Sequence, residues 1–155
     1  MMRFVHLLGT PSITLLALLL DLAARRRLFS PRERRALLWF AAIVAPILYS
    51  STLGYLPFDV YRLGFSTWAP VALAVAAIAI TPRSLPLALV AFATLVAYDL
   101  PLFASVNLFD YAVDPIVGIA AIVWAAATTF RRAMVLSPRA AGGRVRGDSA
   151  LTEGH

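Results

Sequence analysis

The chain has 155 residues, 61% hydrophobic and 14% charged, with a mean hydropathy of +0.80 and a formal net charge of +6. Soluble domains carry roughly 25% charged residues, so this composition argues against an ordinary soluble fold and makes the lipid bilayer the expected partner. The basic charge does not indicate nucleic acid. All 14 basic residues are Arg, and they stand in short clusters between long apolar runs, as cytoplasmic loops of membrane proteins do. A basic surface interleaved with aromatics, expected for nucleic-acid binding, is missing. Arg without Lys reads as a genome-composition bias and suggests a bacterial source.

The first apolar run covers residues 4–24, long enough to cross a hydrocarbon core of roughly 30 Å. Only Arg3 precedes it, whereas Arg25, Arg26 and Arg27 follow it without a small-residue cleavage site. That charge order fits a membrane anchor rather than a signal peptide. Ser30-Pro31 then supplies a helix start, with Ser as N-cap and Pro in the first turn. Helix two is expected over residues 36–56, bent at Pro46. An aromatic loop of mixed charge follows, and a short Ala/Val-rich third helix spans residues 65–81. Pro82-Arg83-Ser84 makes a turn into helix four, residues 85–104, which Pro101 breaks near its end. Helix five is expected over residues 116–130, stopped by Arg131 and Arg132.

These readings predict an all-α integral membrane protein of five transmembrane helices, placed in the inner (cytoplasmic) membrane. Residues 1–132 form the single transmembrane domain and residues 133–155 a polar, partly disordered cytoplasmic tail. With the N-terminus outside and the C-terminus inside, twelve arginines are cytoplasmic and only Arg3 and Arg62 external, the asymmetry that the positive-inside rule expects. Phe58-Asp59 and Phe109-Asp110 each follow an outward-running helix. This echo suggests that helices two–three and four–five are related hairpins.

Cys is absent, which removes disulfides, thiolate metal sites and cysteine nucleophiles. His6 and His155 are the only histidines, too few for a bis-histidine haem or a histidine-rich metal site, so no cofactor and no metal is expected. Candidate binding residues gather outside instead: Asp59, Asp99, Asp110 and Asp114 with Arg62 and Tyr98. Asp99 stands out because an ionisable group inside an apolar helix is costly and marks function by default, here beside the Pro101 break. The structural alternative is that Asp99 caps the broken helix or pairs with Arg62. Those aspartates with Asn107 are also hard-cation ligands, although their spacing matches no calcium loop. On the inner side Asp21 and Arg25 have the spacing of an i,i+4 ion pair. Ala72-Ala76 and Ala121-Ala125 suit close helix packing.

Three functions fit this pattern. The first is a small non-catalytic subunit or accessory of a larger membrane complex, with a membrane protein partner or a homo-oligomer. The second is a carrier of an ion, metabolite or lipid that uses Asp99 and Arg62. The third is an enzyme acting on a lipid or prenyl-linked sugar at the outer leaflet. No nucleophile elbow, phosphate loop or metalloprotease motif supports the third.

Overall fold

The computed structural model describes residues 11–141, with side chains as far as Met134. Arg3, His6, His155, the beginning of the first expected helix and the tail beyond residue 141 lie outside the described residues. Among them the chain is all-helical, with six α-helices and no strand: α1 (Ile13–Ala23), α2 (Pro31–Thr52), α3 (Trp68–Ile80), α4 (Leu85–Asp99), α5 (Leu108–Ala112) and α6 (Pro115–Ala141). A 3-10 turn, Tyr61–Phe65, leads into α3.

Local sequence sets most of these boundaries. Ser30 caps α2 by accepting from the Glu33 amide, while Glu33 accepts from the Ser30 amide at 2.7 Å, a reciprocal capping box with Pro31 in the first turn. Ser84 caps α4 by a single bond, its hydroxyl oxygen accepting the Leu87 amide. The expected end of α2 at residue 56 moves back to Thr52. Gly54, at φ 77°, takes the left-handed position, and the Gly54 and Tyr55 amides close on the Ser51 and Ser50 carbonyls. The α4 end moves from residue 104 to Asp99, because the proline at 101 disfavours helical backbone at the residue before it. Residues 105–115, expected as plain loop, contain α5, started by the Asn107 cap. Finally, α6 does not stop at Arg131 and Arg132 but continues to Ala141, since Arg and Ala are good helix formers that do not themselves end a helix.

Length decides what can cross a bilayer. A span needs about 20 residues, and α2 over Pro31–Thr52 and α6 over Pro115–Met134 meet that with an apolar composition. The other long elements, α1, α3 and α4, have 11, 13 and 15 residues, short of the five full spans that hydropathy suggested. Both long helices are mostly uncovered by the rest of the chain, with only 28% and 17% of their apolar windows buried. The core helix of a soluble protein is mostly buried, so this exposure supports membrane association. Leu20, Ile43, Val75, Ile78, Phe92, Ile119 and Val123 all present large apolar side chains outward, an exposed apolar surface of the kind that marks contact with a membrane or another protein.

The packing does not follow the expected hairpins. Helix α2 packs chiefly on α6, and α3 chiefly on α4, with no comparable contact joining α2 to α3 or α4 to α6. The α2–α6 seam is built from small residues: Ala41, Ala45 and Ala121 are buried with Val113 and Val117. Gly118 completes it, because a Cβ there would stand 2.6 Å from the Ala45 Cβ. Trp39 and Trp124 close the same seam edge-to-face, centroids 5.7 Å apart. Ala121 therefore packs as its spacing suggests, whereas Ala72 is exposed and Ala76 lines a cavity among α1, α2, α3 and α4.

Side-chain bonds define the two ends. At one, the Ser84 hydroxyl donates to Glu33, placing the α3–α4 turn beside the start of α2. At the other, the Ser12 amide donates to Asp114 and Tyr61 donates to Asp110, bringing the beginning of α1 and both Phe-Asp loops together. The long helices therefore alternate in direction, with Arg62 at the aspartate end and the clusters of residues 25–35 and Arg83 at the opposite one.

Candidate functional site

Asp59, Asp99, Asp110 and Asp114 lie at one end of the helices, and most of the polar groups there are committed to holding backbone. Asp114 is buried, with 3% of its surface exposed. One carboxylate oxygen accepts the Val117 amide at 2.8 Å, the N-cap bond of α6, and the other accepts the Ser12 amide at 2.8 Å. A carboxylate at a helix N-terminus also meets the positive end of the helix dipole. Asp114 thus ties α1 to α6.

Asn107 is the centre of the second cluster and is completely buried. Its Oδ1 accepts the Phe109 amide at 2.9 Å and its Nδ2 donates to the Tyr61 carbonyl at 2.9 Å. This joins the two Phe-Asp loops through the backbone. Gly64 makes room: a Cβ at that position would fall 1.9 Å from Asn107 Oδ1. Asp110 accepts from the Tyr61 hydroxyl at 2.7 Å and from the Ser105 hydroxyl. Burial first, then the hydrogen bond to Asp110, raises the Tyr61 hydroxyl above its ordinary pKa of 10.0. Asp59 accepts from the Ser51 hydroxyl and the Arg62 amide, both at 3.2 Å, which shapes the 3-10 turn.

Tyr98 stacks edge-on against Tyr111 with centroids 5.6 Å apart. Tyr111 itself is fully buried, and its hydroxyl meets the backbone of Phe103 and Ser105. It pins the irregular segment after α4.

Asp99 is placed differently from the expectation. It is the last residue of α4, exposed, and accepts no hydrogen bond among the described residues, so it neither caps the helix nor sits deep within it. It borders a groove of about 510 Å³ between α3 and α4, with Pro70, Val71, Ala74 and Val96. Arg62 is also exposed, and its guanidinium pairs with no aspartate among the described residues. Among the described residues the one ion pair is Arg34–Asp21, and no group of three or more His, Cys, Asp or Glu side chains is arranged to hold a metal. The four aspartates of this end are thus separated, each bonded to its own neighbours or exposed.

The arginine-rich end holds a network that spacing misassigned. Asp21, 1% exposed, pairs with Arg34 and not with Arg25. Its Oδ2 accepts Arg34 Nε at 2.8 Å, while Oδ1 accepts the Leu28 and Phe29 amides at 3.0 Å each. Arg25 cannot serve as the i,i+4 partner because α1 has already ended. Arg25 and Arg26 lie in the left-handed region, at φ 53° and 60°, and their amides close on Leu22 and Asp21 carbonyls. Arg34 adds bonds to the carbonyls of Phe29 at 3.1 Å and Arg26 at 3.4 Å. The chain after α1 is therefore held at both its donors and its acceptors.

No protein-family model matches this chain, and neither a curated protein nor a solved structure matches it.

Proposed function

We propose that this chain is a small non-catalytic membrane protein that serves as a subunit or accessory of a larger membrane assembly. Five helices, α1 to α4 and α6, would cross or enter the inner membrane of a bacterial cell, N-terminus outside and C-terminus in the cytoplasm. The short α1, α3 and α4 would be completed by flanking chain or local bilayer thinning. One observation carries the reading: three of the four outer aspartates are engaged in caps and loop bonds, while the apolar helix faces stay uncovered. A side chain that must hold backbone is poorly placed to turn over substrate, and uncovered faces suit lipid or partner helices. The arginine distribution supports the orientation.

The test is mild detergent extraction followed by native-size analysis and cross-linking in the membrane. A defined complex larger than the chain supports the reading. A stable monomer that cross-links to nothing overturns it.

A carrier is the second reading, favoured by Asp99 alone, whose unbonded carboxylate borders the α3–α4 groove. In reconstituted vesicles, Asp99→Asn would abolish substrate movement while leaving the melting profile intact. Unchanged movement would remove Asp99 from any transport role.

A further inference from the structure

Beside the arginine-rich end, α1 and α4 leave an apolar groove of about 430 Å³. Leu16 and Leu20 of α1 face Leu89 and Ala93 of α4, and Leu28 with Phe29 forms its arginine-side wall. From Ile13 to Leu20 the groove follows α1 for about 10 Å at 1.5 Å per residue. Its wall is fixed by the carboxylate that accepts the Leu28 and Phe29 amides, Asp21.

The arginines next to that wall have no acidic partner among the described residues. Of the six between residues 25 and 35, only Arg34 has an ion-pair partner among the described residues. Among the described residues the two acids at this end, Asp21 and Glu33, are engaged with Arg34 and with Ser30 and Ser84. Arg25, Arg26 and Arg27 are exposed, and their guanidinium groups make no bond among the described residues. Two of the three stand on left-handed backbone that only the surrounding bonds hold in place. An exposed cationic segment that runs in the chain straight into the groove wall at Leu28 is complementary to one class of molecule.

We propose that residues 25–27 and the α1–α4 groove form a binding site for one anionic phospholipid, its phosphate on the arginines and one acyl chain between Leu20 and Leu89. Arginine forks suit phosphate oxygens, and an adjoining basic cluster favours anionic over zwitterionic headgroups. Asp21 and Arg34 are positioning residues, since they hold the segment that carries these arginines without touching the lipid. The site rests on the membrane placement proposed above and adds a lipid requirement to it.

The experiment uses the full chain, purified in detergent and stripped of lipid. It is titrated with phosphatidylglycerol or phosphatidylcholine of equal acyl length and read by native mass spectrometry. The wild type should take the anionic lipid at roughly 100-fold lower concentration, at about 1 kcal/mol for each of three arginines. Arg25→Asn, Arg26→Asn and Arg27→Gln together should bring the two lipids close to equal, Asn being chosen because it tolerates left-handed backbone. Ala93→Phe, at an exposed position in the groove, should weaken both lipids and leave their ratio unchanged. Excess inorganic phosphate should not displace the bound lipid.

Equal affinity for the two lipids in the wild type, an unaltered preference in the triple variant, or displacement by phosphate overturns the proposal. So does occupation of the groove by a second copy or a partner helix. Alkaline carbonate washing of membranes separates the two levels. A chain that stays embedded but shows no anionic preference defeats the lipid site alone, and one that washes off defeats the membrane placement beneath it.

Discussion

Replacing Asp21 by Asn tests the network that holds the segment after α1. The substitution keeps the size of the side chain and leaves one oxygen to accept the Leu28 and Phe29 amides. It places an amide NH2 where Oδ2 now faces Arg34 Nε at 2.8 Å, so two donors meet. Breaking a buried ion pair from one side costs about 3–5 kcal/mol. Here the figure is reduced, because the Arg34 side chain is 18% exposed and can recover water while the Asp21 side chain is 2% exposed. We expect a loss of about 2–3 kcal/mol, measured by equilibrium unfolding in mixed micelles with tryptophan fluorescence. Arg34→Ala should cost a similar amount, and it also releases the Phe29 carbonyl. Arg25→Ala should change stability by no more than about 0.5 kcal/mol, the ordinary range for an exposed side chain. If Asp21→Asn matches the wild type, or if Arg25→Ala proves the costlier variant, the Asp21–Arg34 network is not what holds this end.

Gly64→Ala should disrupt the junction of the two Phe-Asp loops. The added methyl would overlap Asn107 Oδ1, and losing the two Asn107 bonds costs about 1 kcal/mol each plus the burden of unpaired buried backbone; a lower melting temperature with faster amide exchange at Phe109 is the expected readout. Asp114→Ala should cost about 1–2 kcal/mol as a lost helix cap and should also loosen Ser12; protease cleavage ahead of α1 would report it. Tyr61 should ionise above the ordinary tyrosine value of 10.0. Because its folded pKa is raised, the stability linked to its protonated hydroxyl is complete below about pH 10 and is lost as the pH climbs through the folded value. An ultraviolet titration in which Tyr61→Phe leaves the last-titrating tyrosine signal unchanged would refute this assignment.

The apolar runs, the basic clusters and the helix starts at Ser30 and Ser84 were legible in the sequence because each rests on nearest neighbours. A capping side chain reaches only three residues ahead. Helix lengths were less legible. Hydropathy counts apolar residues without asking whether the backbone stays helical, so it carried α4 past Asp99 and began α3 at residue 65 rather than at Trp68.

The site was legible as a location and not as a set of roles. The aspartates do collect at one end, together with Asn107 and Tyr61, but their partners lie 49 and 102 residues away in the chain for Asp110 and Asp114. No local pattern encodes such distances. Gly64 and Gly118 show the same limit, since each is required by an atom from a remote segment. Composition and the order of charges determined that the protein is helical, apolar on its faces and basic at one end, because those properties add up residue by residue. Which helices pair, which carboxylates are spent on backbone, and that Asp21 belongs to Arg34 were decided only by tertiary structure. A hydrogen bond depends on where two groups finally stand, and that position is set by the packing of the whole chain.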